Sequence, residues 1–223
     1  MKNTPFIAVT SQPVPYHADT TAIFNTLCQQ NSNSLLLDSA EIGSKNSLQS
    51  LILINAAVKI TCLGNQVTFR ALNANGKQVL NEIHLVLSQL GTVSAVNFEN
   101  EFSVQFAPLD NQLDEDSKLQ AATIFDGLRV ISNHYQHSST PVFLGGLFAY
   151  DLVANFIPMQ DVELKDDGIN CPDYSFYLAE NLITIDHQSQ QATLKSFCFS
   201  QEEQVEVAKT ALSIAQKLRN IDG

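Results

Sequence analysis

Charge is scarce in this chain of 223 residues: Asp, Glu, Lys and Arg make up only 16% of it, against 44% hydrophobic residues. The polar surface therefore falls largely to Ser, Thr, Asn and Gln, and a composition this apolar excludes both a disordered chain and a coiled coil. Basic residues are the scarcer kind, 12 against 23 acids, for a formal net charge of −11. A field of that sign repels phosphate backbones and anionic lipid headgroups, so neither nucleic acid nor a membrane is an expected partner. No apolar run reaches the roughly 20 residues needed to span a bilayer. The opening MKNTPFIAVTSQPVP holds too short an apolar stretch for a signal peptide. The expected location is cytoplasmic.

Signatures of chemistry are missing as well. There is no GxGxxG, no GxSxG and no GxxxxGK followed by Ser or Thr. Gly145-Gly146 lies in a segment without Lys or Arg, so it reads as a pair of glycines admitting a close neighbour rather than as a phosphate cradle. Ser139, Ser175 and Ser200 lack a nucleophile context. Cys28, Cys62, Cys171 and Cys198 form no CxxC, and the first, second and fourth sit inside apolar patterns, which points to reduced core thiols rather than disulfides or zinc. His134 and His137 have a spacing that serves zinc only if a third ligand arrives, and they read first as helix-end histidines near free carbonyls. Asp110, Asp114, Glu115 and Asp116, like Asp161, Glu163, Asp166 and Asp167, lack EF-hand spacing and read as solvated acidic loops.

What is present is periodicity. Ala22, Ile23, Phe24, Leu27 and Cys28 predict a helix over 19–31, with Asp19 or Thr20 as its cap. Leu35-Leu36-Leu37-Asp38 predicts a buried strand whose C-terminal end reaches the surface. Val58, Ile60 and Cys62, then Val67, Phe69 and Ala71 across Gly64-Asn65, predict a hairpin with one buried face. A helix carries Val79, Leu80, Ile83, Leu87 and Leu90, and strands follow around 93–96 and 102–106. A second long helix is expected from Ser117 to about His137, with Leu119, Ile124, Phe125, Leu128 and Ile131 as its stripe. Phe143 to Asp151 reads as a central strand, and 174–180, Ile183, Ile185 and 193–199 read as further strands. Ser200 and Glu203 suggest a capping box for a last helix burying Val205, Ala208, Leu212, Ala215 and Leu218. The expectation is α+β, with mostly antiparallel sheets, helices packed outside and one domain, its one seam at Pro108–Asp116.

Composition and spacing end there, but a resemblance goes further. Leu35 to Ile42, Ser44-Lys45 and Leu48 to Leu51 resemble the large subunit of anthranilate synthase, component I. The likeness continues through Leu113 to Asp116, Phe125-Asp126, Gly145 to Val153, Cys171 to Asp173, Phe176 to Glu180 and Ile185 to Gln188. It implies that residues 1–223 are that family's N-terminal regulatory region, with an incomplete β-sandwich core of the family's type. The family's enzyme is a lyase that turns chorismate into anthranilate and pyruvate, using Mg2+ and ammonia from a glutamine amidotransferase subunit, component II. Its Mg2+ and chorismate residues belong to a C-terminal catalytic domain that this chain lacks. No catalytic or metal residue is therefore assigned here, and the chain alone is expected to be inactive.

The resemblance also implies that L-tryptophan binds this region as a feedback inhibitor. Ser39 matches the family's tryptophan-contacting serine, Asp38 stands where the family has glutamate, and Gln49 stands where it has a basic residue. Arg129 and Cys171 fall on family-like segments, with a salt bridge and a core thiol as competing readings, and neither is assigned to the ligand. Two alternatives stay open: the corresponding part of aminodeoxychorismate synthase component I, and a free-standing amino-acid-binding module.

Overall fold

A computed structural model describes residues 5–29, 31–38, 48–97, 100–108, 114–155 and 171–221. Its strands are β1 (Ala8–Val14), β2 (Leu35–Asp38), β3 (Gln49–Leu63), β4 (Gln66–Ala71), β5 (Thr92–Asn97), β6 (Glu101–Gln105), β7 (Leu144–Phe148), β8 (Tyr174–Asp186) and β9 (Gln191–Cys198). Its helices are α1 (Thr20–Cys28), α2 (Ala74–Leu87), α3 (Glu115–Gln120), α4 (Asp126–His134) and α5 (Gln204–Arg219), with a 3-10 turn at Tyr150–Asn155.

All the pairings are antiparallel, and the strands form one sheet ordered β1-β9-β8-β3-β4-β6-β5, with β2 beside β3 and β7 beside β8. The α+β expectation holds. The hairpin at Gly64-Asn65 joins β3 to β4, with Leu63 opposite Gln66, and Val58, Ile60, Cys62, Val67 and Phe69 are all fully buried. Opposite its bulges against β8, β3 carries no ladder partner between β2 and β4 among the described residues. There the Asn31 side chain donates to Ile54 O at 2.8 Å and Leu72 N–H to Ala57 O at 2.9 Å, satisfying two carbonyls of buried residues outside the ladder.

Two cores form. One packs α2 and α4 against β3, β4, β6 and β8 through residues such as Leu80, Ile83, Phe69, Phe102 and Ile131. The other packs α1 and α5 through Ile23, Ile52, Ile183, Leu194 and Ile214. Burial of this apolar surface is the main favourable contribution to folding.

Four expectations change. The helix expected over 117–137 is two helices, because the Asp126 carboxylate accepts Thr123 N–H at 2.6 Å and holds that stretch out of the α-helical ladder. The central strand expected at 143–151 is a five-residue strand pairing, among the described residues, with β8 alone, and its Leu147 and Phe148 are 58% and 52% exposed. Its glycines do admit a close neighbour: a Cβ on Gly146 would sit 2.2 Å from Ser175 O. No capping box forms at α5, because the helix starts only at Gln204 and Glu203, in its capping position, makes no side-chain cap. The stripe of α5 keeps Ala215 and Leu218 as expected but is otherwise shifted, with Val207, Ala211 and Ile214 buried while Val205, Ala208 and Leu212 are exposed.

Cys28, Cys62 and Cys198 are buried free thiols as expected, and burial pushes the Cys62 thiol up to about 12. Cys171 is exposed instead, and Arg129 pairs with Asp126 at 3.2 Å, the competing salt-bridge reading. No described helix is long and apolar enough to cross a membrane.

One buried acid ties α2 to the sheet. Glu180 Oε2 accepts the amides of Asn73 and Asn75, each at 2.8 Å, while Asn75 also donates to Phe197 O and accepts Phe199 N–H. Asn73 caps α2 through Gly76 N–H. Burial raises the Glu180 pKa, against the pull of its Asn75 and Asn73 hydrogen bonds.

Two outcomes follow, read by urea unfolding of the chain. Ile214→Ala costs about 2–4 kcal/mol and Leu212→Ala stays within about 0.5 kcal/mol, and the reverse ranking would refute the observed phase of α5. A raised folded-state pKa means that the native state holds a proton the unfolded chain has released just above pH 4.5. Stability contributed at Glu180 is therefore present below that pH and lost as pH rises through the raised pKa. The stability difference between the parent and Glu180→Gln falls across that window, and a pH-independent difference would contradict it.

Candidate functional site

β2 is a four-residue strand, and its pairing with β3 sets what stands at its end. Leu35 lies opposite Leu53, and Asp38 opposite Ser50. Leu35 and Leu36 are half-buried, one against each core, and Leu37 and Asp38 are exposed. Strand alternation puts Asp38 and Ser50 on one face.

Ser50 is fully buried beneath Asp38, and its hydroxyl donates to Asp38 Oδ1. The Ser50 oxygen lies 2.8 Å from His187 Nε2. His187 is the residue directly after β8, and its backbone N–H donates to Leu48 O at 2.9 Å, which anchors it beside the start of β3. Its other ring nitrogen, Nδ1, is 3.1 Å from the Tyr16 hydroxyl, and the two rings meet edge to face at 5.8 Å. The neighbouring Asp186 accepts Ser189 and Gln188 N–H groups, and these bonds lower its pKa.

Of the three residues singled out in the sequence, Asp38 alone is seen in this cluster. Ser39 lies outside the described residues. Gln49 is exposed at the first position of β3, opposite Asp186 and on the face away from Asp38. Ser50, His187 and Tyr16 were missed as functional candidates. The first two do lie inside stretches that carry the family resemblance, Leu48 to Leu51 and Ile185 to Gln188, whereas Tyr16 had no signal.

The arrangement is an exposed carboxylate braced from below by a buried hydroxyl and an imidazole. A carboxylate so placed accepts a charge-assisted hydrogen bond from a ligand ammonium, and Leu36, half-buried two positions back on the same face, offers apolar surface beside it. Hydrolytic chemistry has a different order, with the acid orienting the histidine and the histidine activating the serine. Here the acid bonds the serine.

Other sequence candidates resolve differently. His134 Nε2 bonds Glu82 Oε2 at 2.9 Å, an oxygen also reached by Tyr135 OH at 3.0 Å, so this histidine answers a carboxylate and not free carbonyls. Asp114 is a helix cap, accepting Ser117 N–H at 2.7 Å, while Asp110 and Asp161 to Asp167 lie outside the described residues. No group of three His, Cys, Asp or Glu side chains that would hold a metal ion occurs among the described residues.

A model of the family described as chorismate binding enzyme matches residues 80–220. Over 217 residues the chain is 84% identical to the anthranilate synthase component 1 of Haemophilus influenzae, a match covering 97% of this chain and 42% of that protein. It is 43% identical over 202 residues to the Vibrio cholerae protein of the same name, covering 89% and 38%, and 37% identical over 199 residues to that of Escherichia coli, covering 88% and 37%. The chain thus spans about two fifths of the length of the curated relatives it matches.

Proposed function

This chain belongs to the chorismate binding enzyme family, and on that premise we propose that it is the N-terminal, feedback-regulating part of an anthranilate synthase component I. The reading draws on the 84% identity to a protein of that name across nearly the whole chain. It gives the complete protein the conversion of chorismate and ammonia to anthranilate and pyruvate. Ammonia comes from a glutamine amidotransferase component II, and L-tryptophan acts as inhibitor. The catalytic domain and the Mg2+ site of the complete protein are assigned to the remaining length of the relatives. A sheet that bulges between Leu53 and Val58 and packs a core against each face suits the family's sandwich. The free thiols of Cys28, Cys62 and Cys198 suit a reducing cytoplasm.

The observation that carries the regulatory part is the braced Asp38 at the end of β2. An amino-acid ligand presents an ammonium that this carboxylate and the hydroxyl of Ser39, the next residue, are suited to hold, while an indole packs on Leu36, the leucine on the same face as Asp38. Gln49 replaces a basic residue of the family and points to the other face, so the ligand's carboxylate is assigned to groups beyond it. Inhibition then works by differential affinity. Tryptophan favours the arrangement that binds chorismate poorly, and chorismate weakens tryptophan binding by the same factor.

A second reading has one observation in its favour. The chorismate binding match falls at residues 80–220, inside this chain, so part of the chorismate surface is contributed here.

The test follows anthranilate fluorescence in the complete protein with chorismate, Mg2+ and ammonia. Tryptophan is expected to suppress production, and Ser39→Phe to keep producing anthranilate while losing that suppression. Unchanged inhibition in Ser39→Phe removes the site assignment, and chorismate consumed without anthranilate moves the protein to the aminodeoxychorismate reaction. Calorimetric binding of chorismate to residues 1–223 alone would establish the second reading.

A further inference from the structure

We propose that Tyr16, His187 and Ser50 form a one-way hydrogen-bond relay that positions the Asp38 carboxylate for a ligand ammonium, an inference resting on the tryptophan reading above. Four separate segments supply the relay: the connection after β1, the residue after β8, the second position of β3 and the end of β2.

Its direction is set by chemistry. An ionised carboxylate only accepts, so the single Ser50 hydroxyl hydrogen goes to Asp38 Oδ1. The Ser50 oxygen must then accept, and the group 2.8 Å away is His187 Nε2, which therefore carries the proton. In the neutral ring Nδ1 is left as an acceptor and takes the Tyr16 hydroxyl hydrogen. Every donor points toward Asp38, and the edge-to-face packing of Tyr16 on His187 holds the imidazole plane in place.

An exposed aspartate at a strand end otherwise samples several rotamers, and a ligand that orders it gives up affinity to do so. The relay removes that loss in advance. It engages Oδ1 through an uncharged hydroxyl, so the carboxylate keeps its formal charge for a cation. Ser50, His187 and Tyr16 are positioning residues, acting on the ligand through Asp38.

Calorimetric titration of L-tryptophan into the complete protein tests this. His187→Ala is expected to raise Kd about tenfold, the effect of losing one hydrogen bond in a chain ending on a charge. His187→Gln, whose amide nitrogen reaches the place of Nε2 and keeps a donor toward Ser50, restores most of it, and Tyr16→Phe falls between the two. Because the relay acts only through Asp38, adding His187→Ala to Asp38→Ala weakens binding no further. Parent-like affinity in His187→Ala, or an undiminished loss in the Asp38→Ala background, overturns the relay. Should His187→Ala fail to fold, His187→Gln and Tyr16→Phe decide, and weakening by His187→Gln as great as total loss of the site would count against it. Failure of the parent to bind tryptophan, or equal binding by Ser39→Phe, is a different pattern that removes the tryptophan reading itself.

Discussion

Pairing between β3 and β8 is the constraint on which the rest of the structure depends. These are the two longest strands, 15 and 13 residues, and each divides its outer edge between two shorter strands: β2 and β4 beside β3, β7 and β9 beside β8. Both hydrophobic cores are built on this pair, with Ile52 and Ile183 facing α1 and α5, and Ile60 and Leu178 facing the α2 side. Bulges between Leu53 and Val58 let one pair of strands serve both cores, since an inserted residue bends the strand and changes which side chains face a given layer. Shifting the register by one residue would turn each set of apolar side chains to the opposite face, away from the core it fills.

The same register creates the braced carboxylate. Ser50 sits opposite Ile185 on β8 and opposite Asp38 on β2, so the end of the long pair delivers His187 to one side of the serine and Asp38 to the other. β2 holds on by only four residues. Short edge elements of this kind lie at the low end of local stability, and a ligand that prefers one of their arrangements shifts the population toward it. The proposed ligand contact at this place would be tied to the sheet through hydrogen bonds rather than through bulk packing.

Legibility varied with the range of the deciding interaction. The β3–β4 hairpin was readable because its alternation and its Gly64-Asn65 turn are local and agree, α1 because a capping side chain precedes its stripe, and α2 because its apolar residues recur in one phase. The last helix was misread because α5 carries apolar residues on two faces, and only contact with β9 and α1 selects Ile214 over Leu212. The helix break near Thr123 was hidden because one carboxylate, Asp126, outcompetes the helical ladder for a backbone donor. In the site, Asp38 was reached by resemblance, and its supports Ser50 and His187 lay in quoted stretches without any sign that they meet.

By itself the sequence determined the class of the fold, the acidic and thiol-bearing character of the chain, most of its local elements and its family likeness. These follow from composition and from periodicities that neighbouring residues carry within one element. Tertiary structure alone decided that Asp38, Ser50, His187 and Tyr16 share one hydrogen-bonded line, although His187 lies 171 positions after Tyr16 and 137 after Ser50. The physical reason is that side-chain identity specifies which groups donate and accept, whereas strand register across distant segments specifies which of them come within reach.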